Sequence, residues 1–324
     1  MITNNDLQKI EGIVDYMKDV PYDVTVRDLY SAKTLYQGYR PDDEGTYNDC
    51  YDQQVYRHFI ATGKQSDDVR ESLARTLHDH GIHIAMNRFF STHDYIRCIG
   101  IMGGHALLRT DDMFRQITLI SKQLTELHFY MLSGGGPGAM EATHLGAWLA
   151  GRSDDEVADA LNILSVAPSF KDEGWLSTAF QVMEKYPQQH YVSLGIPTWL
   201  YGHEPSTPFA THIAKFFENS IREDSILTLA FGGIIYTPGS AGTMQEVFQD
   251  AVQNHYLSFG LSSPMIFFGK DFWTHEMPVY TMLKDMMETG RYKNLLLTLT
   301  DDPDDIIKEL TRFSEIASSQ ALTY

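Results

Sequence analysis

The feature that most constrains this chain is a short stretch, residues 238–243 (PGSAGT), between an apolar run and an amphipathic segment. The preceding run, residues 233–236, has the character of a buried parallel strand, and residues 247–252 have helical spacing. A strand that passes into a helix through glycines leaves the first helical N–H groups unpaired, at the positive end of the helix dipole. The stretch therefore predicts an anion site, most often for phosphate.

A second loop of the same kind lies upstream. Residues 129–132 predict a strand, which passes through residues 134–139 (GGGPGA) into a helix. Strands and helices alternate from about residue 93 onward, starting with a strand over residues 95–102. Such alternation predicts an α/β fold with a doubly wound, mostly parallel, Rossmann-like sheet. We therefore predict a helical N-terminal extension over residues 1–92 and a nucleotide-binding domain over residues 93–324.

Three further elements are predicted from local pattern. Residues 163–168 are apolar and predict a strand, and residues 209–229 predict a long helix with a possible break at Ser220. Ser153 precedes a short helical segment and is a suitable N-cap. His78, His80 and His83 lie close together, but polar residues around the end of a helix explain them better than a metal site.

Charge and cysteine content exclude several classes of protein. The formal net charge of -18 disfavours nucleic-acid polymers and anionic membranes as partners, although a local nest of N–H groups can still bind a small anion. Cys50 and Cys98 are far apart, which fits a reducing cytosol and predicts a cytoplasmic protein. The sequence has no apolar run of about 18 residues, so no transmembrane helix is predicted. The N-terminus lacks the pattern of a signal peptide.

Other types of site fit the sequence less well. Residues 134–139 satisfy the dinucleotide pattern G-x-G-x-x-A, but Asp154 and Asp155 lie in the first turn of a predicted helix rather than at a strand end. A nicotinamide-dependent oxidoreductase is therefore a weak alternative. The chain has no Walker motif, no G-x-S-x-G elbow and no H-E-x-x-H. For either glycine loop alone, tight turns and close packing are an alternative explanation.

Residues 238–246 (PGSAGTMQE) resemble the P-G-G-x-G-T-x-x-E signature of the LOG family, the nucleoside 5′-monophosphate phosphoribohydrolases. Residues 134–141 (GGGPGAME) are similar to the first glycine loop of that family. The resemblance covers about residues 95–300. Ser240 stands where the signature has its second glycine, and Glu223 follows Arg222 where the family has lysine.

The resemblance implies roles for named residues. It places the 5′-phosphate of the nucleotide on Gly239, Ser240, Ala241, Gly242 and Thr243. It places the ribose or base side on Gly134, Gly135, Gly136 and Met140. It assigns catalysis to Glu246 and Arg222.

The implied activity is hydrolysis of the N-glycosidic bond of a nucleoside 5′-monophosphate, which yields a free base and ribose 5-phosphate. A carboxylate near C1′ suits this chemistry, because positive charge develops on the ribose ring. No metal or redox cofactor is expected. The resemblance also implies a homodimer or larger assembly. The alternative hypothesis is a non-catalytic nucleotide sensor or carrier on the same fold.

Overall fold

A computed structural model of the chain describes residue 12, residues 15–188 and residues 190–321. Within these residues, seven parallel strands form one sheet in the order β4-β3-β2-β1-β5-β6-β7. The strands are β1 (Cys98–Met102), β2 (Tyr130–Ser133), β3 (Ser193–Gly195), β4 (His212–Ile213), β5 (Gly233–Tyr236), β6 (Pro264–Phe268) and β7 (Leu296–Thr300). The predicted α/β fold with a parallel, Rossmann-like sheet is confirmed.

The α-helices divide into an N-terminal group and those that connect the strands. The N-terminal group is α1 (Ala32–Leu35), α2 (Tyr51–Ala61) and α3 (Val69–Phe90). The connecting and closing helices are α4 (Asp112–Glu126), α5 (Ala139–Trp148), α6 (Asp154–Leu164), α7 (Trp175–Lys185), α8 (Asn219–Leu229), α9 (Ala241–Tyr256), α10 (Val279–Glu288) and α11 (Pro303–Ala321). Among the helices described here, none is both long and apolar enough to cross a bilayer.

Both faces of the sheet are covered, because successive strand residues point to opposite sides. In β5, Ile234 and Tyr236 belong to one buried cluster, and Ile235 belongs to the other. The first cluster contains residues of α8, α9, α10 and the N-terminal helices, and the second contains residues of α4, α5, α6 and α11. Strands that are buried on both faces have the continuous apolar sequences noted above.

The strand order creates a crevice in the middle of the sheet. The chain moves outward from β1 to β4 and then returns to β5, which lies beside β1 on its other side. Ligands of doubly wound sheets bind at such a switch point, outside the carboxyl ends of the strands. The loops after β1 and β5 therefore flank the expected position of a ligand.

The N-terminal helices pack onto this sheet through buried polar contacts. Tyr30 forms a backbone bridge with Ile213 of the edge strand β4. Nε1 of Trp199 donates to Oδ1 of Asp52 at 2.9 Å, and Asp52 also pairs with Lys215. The boundary near residue 92 stays a prediction, but these contacts join the N-terminal helices to the sheet.

Local predictions had mixed outcomes. Ser153 does cap α6, in a capping box with Glu156. The predicted strand over residues 163–168 is wrong, because Leu164 completes the buried face of α6 and a turn follows. The predicted helix over residues 209–229 is also wrong in its first half. That half contains β4, and the helix begins only at Asn219.

Candidate functional site

The loop after β5 presents the start of a long helix. Ser240 is the N-cap of α9, with φ -116° and ψ -154°, a conformation that any residue adopts. Serine in place of glycine therefore causes no backbone strain here. Its side chain makes no capping hydrogen bond, and the residue is exposed. The hydroxyl and the first N–H groups of α9 are both available to an anion.

Gly239 is needed for a different reason. A β-carbon at this position would overlap Oγ1 of Thr243 and lie 2.8 Å from its Cβ. Thr243 is itself buried in the first turn of α9. The loop can thus fold back on its own helix only if residue 239 has no side chain.

The loop after β2 lies beside Arg222 of α8 and Met140 of α5. A β-carbon at Gly134 would be 3.5 Å from Nη1 of Arg222, and one at Gly136 would be 2.8 Å from Cε of Met140. Gly135 has φ +69° and packs against Gly195 and Pro197 at the end of β3. Gly134 and Gly136 therefore form part of the wall, whereas Gly135 allows the loop to approach β3.

Arg222 and Glu246 are the two residues of the site that were predicted to carry catalysis. Nε and Nη2 of Arg222 donate to Oδ1 of Asn219 at 3.1 and 2.9 Å, and Nη2 also donates to Oε1 of Glu223 at 3.0 Å. Burial raises the pKa of Glu246 to about 7; Arg222 acts in the opposite direction, and Glu223 adds to the increase. The carboxyl group of Glu246 thus changes protonation near neutral pH.

The helix that carries Arg222 is held at its start by the N-terminal extension. Asp79 accepts hydrogen bonds from the backbone N–H groups of Phe217 at 3.0 Å and Glu218 at 2.8 Å. These residues precede α8, so Asp79 satisfies donors that the helix cannot pair itself. Nδ1 of His78 lies 2.9 Å from Asp79, and its Nε2 lies 2.9 Å from the hydroxyl of Tyr30.

The prediction that His78, His80 and His83 surround the end of a helix is wrong, because all three lie inside α3; the contacts of His78 are structural. Within the described part of the chain, no three His, Cys, Asp or Glu side chains are grouped so that they could hold a metal ion. His80 and His83 lie at a separate surface cleft of α3.

The segment after β3 forms the remaining wall, and the N-terminal extension supports it. Nζ of Lys215 lies 2.7 Å from Oδ1 of Asp52 and donates to Oγ of Ser206 at 3.0 Å. The hydroxyl of Tyr36 donates to the backbone carbonyl of Ser206. Because these groups are buried, the position of this wall depends on contacts with α1 and α2.

These elements enclose a cavity of about 320 Å³ at the switch point of the sheet. Its lining residues are Gly103, Gly104, His105, Gly134, Gly136, Met140, Pro197, Thr198, Tyr201, Glu204, Ser206, Arg222, Glu223, Ser240, Gly242, Thr243 and Glu246. The volume is at the lower end of the range of roughly 300–1,000 Å³ that small-molecule pockets occupy.

The structure brings together most of the residues predicted for the site. Those that line the cavity are Gly134, Gly136, Met140, Arg222, Ser240, Gly242, Thr243 and Glu246. Gly135, Gly239 and Ala241 lie in the same loops but are not among the lining residues. The roles predicted for all of these residues in ligand binding and catalysis stay predictions.

Sequence reasoning did not assign the wall after β3. Thr198, Tyr201, Glu204 and Ser206 come from a segment that has only the composition of a loop. The only signal that points to them is their position after a strand end of a parallel sheet. Gly103 and Gly104 follow β1 and carried the same signal.

Comparisons with known proteins give structural likeness only. No family model matches the sequence, and no curated protein matches it. A molybdenum cofactor binding protein from the phototrophic bacterium Rippkaea orientalis is similar in structure, with 15% identity and a TM-score of 0.40. The alignment covers 66% of this chain and 95% of that protein.

The Moco Carrier Protein of Chlamydomonas reinhardtii is similar at 16% identity and a TM-score of 0.39, over 67% of this chain and 96% of that one. A second structure of that carrier gives 13% identity and a TM-score of 0.37, with the same coverage. Membership of the LOG family is not shown by these comparisons, so that resemblance stays a prediction.

Proposed function

We propose that this protein binds a nucleoside 5′-monophosphate, or a related phosphorylated small molecule, and acts as a carrier or sensor. The observation that carries the proposal is the convergence of the α9 N-terminus, the hydroxyl of Ser240 and Arg222 on one cavity. Unpaired N–H groups, a hydroxyl donor and a guanidinium are the groups that recognise phosphate. They supply a local attraction that the net charge of -18 does not.

The charges beside the phosphate loop favour binding over catalysis. Nη2 of Arg222 donates to Asn219 and Glu223, and among the described residues no hydrogen bond or ion pair joins Arg222 to Glu246. The two residues expected to act together in catalysis are therefore not paired with each other.

Isothermal titration calorimetry tests the binding proposal. AMP, GMP, CMP and UMP are titrated into the full chain beside the matching nucleosides, which lack only the phosphate. Molybdenum cofactor is included as a further phosphorylated ligand. At least one monophosphate is expected to bind, and its nucleoside is expected to bind far more weakly, because the helix start has lost its anion. Equal affinity for a nucleoside and its monophosphate would contradict the proposal.

Hydrolysis of the glycosidic bond is the second candidate function. It is favoured by the pKa of Glu246, because a carboxyl group that titrates near the working pH is suited to general base catalysis. Ionised Glu246 would take a proton from water as the water oxygen bonds to C1′. The C1′–N bond breaks, its electron pair goes to the base, and the protonated Glu246 gives the proton to the base. The products are a free base and ribose 5-phosphate.

Chromatographic detection of the free base tests this second function. If the protein is a hydrolase, Glu246→Gln is expected to slow base release by about 100-fold. The rate should rise with pH through about 7 and then level off, because the ionised form of Glu246 is the active one. If the wild type binds a monophosphate tightly but releases no base, hydrolysis is excluded and the carrier or sensor function remains.

A further inference from the structure

Glu204 is an incompletely paired carboxylate in the cavity wall. Its side chain is only 17% exposed, yet the described part of the chain supplies no hydrogen bond to either carboxylate oxygen. The basic side-chain nitrogens found near it are Nε2 of His105 and Nε2 of His203, each 3.8 Å from Oε1 and therefore beyond hydrogen-bond distance. Both histidine side chains are at least half exposed. Such a carboxylate is suited to accept hydrogen bonds from a ligand.

Glu204 and Arg222 line the same cavity beside different residues of the first glycine loop, and they form no ion pair with each other. Gly134 is the residue of this loop beside Nη1 of Arg222. Gly136, two residues further on, has Oε2 of Glu204 3.9 Å from the position of its missing β-carbon. Glu204 and Arg222 are therefore separate contact points on one cavity wall, and a nucleotide with its phosphate on α9, beside Arg222, can place its base against Glu204.

Two free carboxylate oxygens select for two adjacent N–H donors. Guanine presents its N1–H beside its 2-amino group, so each oxygen can accept one hydrogen bond. Hypoxanthine has the N1–H but lacks the amino group. Adenine and cytosine present an amino group next to an unprotonated ring nitrogen, which repels a carboxylate. Pterins share the 2-amino-4-oxo edge of guanine.

We propose that Glu204 determines the base specificity of the site, which takes phosphorylated ligands whose heterocycle carries a 2-amino-4-oxo-pyrimidine edge. This inference rests on the proposed function, since it assumes that the phosphate lies on the start of α9. It names a residue and a ligand class that neither glycine loop specifies.

Calorimetric titration of GMP, IMP, AMP, 6-hydroxymethylpterin monophosphate and ribose 5-phosphate tests the proposal. Wild type is expected to bind GMP or the pterin monophosphate about 10- to 100-fold more tightly than IMP, and AMP is expected to bind no better than IMP. Comparison of the affinities for GMP and for the pterin monophosphate shows whether the site prefers guanine or a pterin as its heterocycle. Glu204→Gln is expected to make the affinities for GMP and IMP about equal.

The ratio of the GMP and IMP affinities is measured on one preparation, so it does not depend on the fraction of folded protein. Glu173→Gln, at an exposed position outside the cavity, is the matched control and is expected to keep the wild-type ratio. Equal binding of GMP and IMP by wild type, or an unchanged ratio in Glu204→Gln, would overturn the role of Glu204. If ribose 5-phosphate and every monophosphate fail to bind, the proposed function itself fails.

Discussion

Lys215→Met is expected to lower the free energy of unfolding by about 3–5 kcal/mol, the usual cost of removing one partner from a buried ion pair. Lys215 and Asp52 are each 1% exposed in their side chains, and Nζ lies 2.7 Å from Oδ1. Methionine retains the length of the side chain but leaves the carboxylate of Asp52 with Nε1 of Trp199 as its remaining side-chain donor. Urea denaturation of wild type and variant measures the difference.

A matched control is available on the surface. Lys185 is also 2.7 Å from a carboxylate oxygen, that of Asp159, but the two side chains are 50% and 43% exposed. Lys185→Met is therefore expected to cost no more than about 1 kcal/mol. Asp52→Asn combined with Lys215→Met should be more stable than Lys215→Met alone, because no unpaired charge remains buried. A loss below about 1 kcal/mol in Lys215→Met would show that the pair does not hold the fold.

Gly239→Ala is expected to weaken binding of the monophosphate by about 1,000-fold. The added methyl group would overlap Oγ1 of Thr243 and approach its Cβ to 2.8 Å, so the loop must move off the start of α9. Loss of two charge-assisted hydrogen bonds at about 2 kcal/mol each corresponds to an effect of this size. Calorimetry with the monophosphate bound most tightly by wild type measures the effect.

The control for this substitution is another glycine with a negative φ. Gly45 is exposed, lies outside the cavity, and would place its β-carbon 3.3 Å from a side-chain oxygen of Asp43, which can move. Gly45→Ala is expected to bind as wild type does. Thermal unfolding of both variants separates a local change in the loop from a loss of folded protein. An affinity of Gly239→Ala close to that of wild type would exclude a role for this loop in holding the phosphate.

Much of the fold could be predicted because strands buried on both faces leave a strong local pattern. The strand over residues 233–236 and its glycine loop are found where the sequence places them. The two wrong elements share a cause: short apolar runs do not distinguish a strand from a buried helix or coil. Residues 163–168 contain the end of α6 and the turn after it. Residues 209–218 contain the edge strand β4 and mostly buried coil.

The site was predictable only where loop chemistry depends on glycine. Gly134, Gly136 and Gly242 could be predicted in this way. Arg222 and Glu246 were then assigned through the family resemblance that these loops support. Ser206 could not be predicted, because its place in the cavity depends on tertiary contacts with Tyr36 and Lys215, and Glu204 lies in the same segment. Such contacts join residues far apart in the chain and leave no periodic signal.

The contacts that Asp52 and Asp79 make across the fold also set an order of events on the ribosome. Asp52 is synthesised 163 residues before Lys215, and Asp79 is synthesised 138 residues before Phe217. At roughly 5–20 residues per second, the first interval lasts about 8 to 33 seconds. During that time Lys215 and the backbone of Phe217 are not yet available to these carboxylates. The contacts by which Asp52 and Asp79 join the extension to the sheet therefore form only after the chain has passed β4.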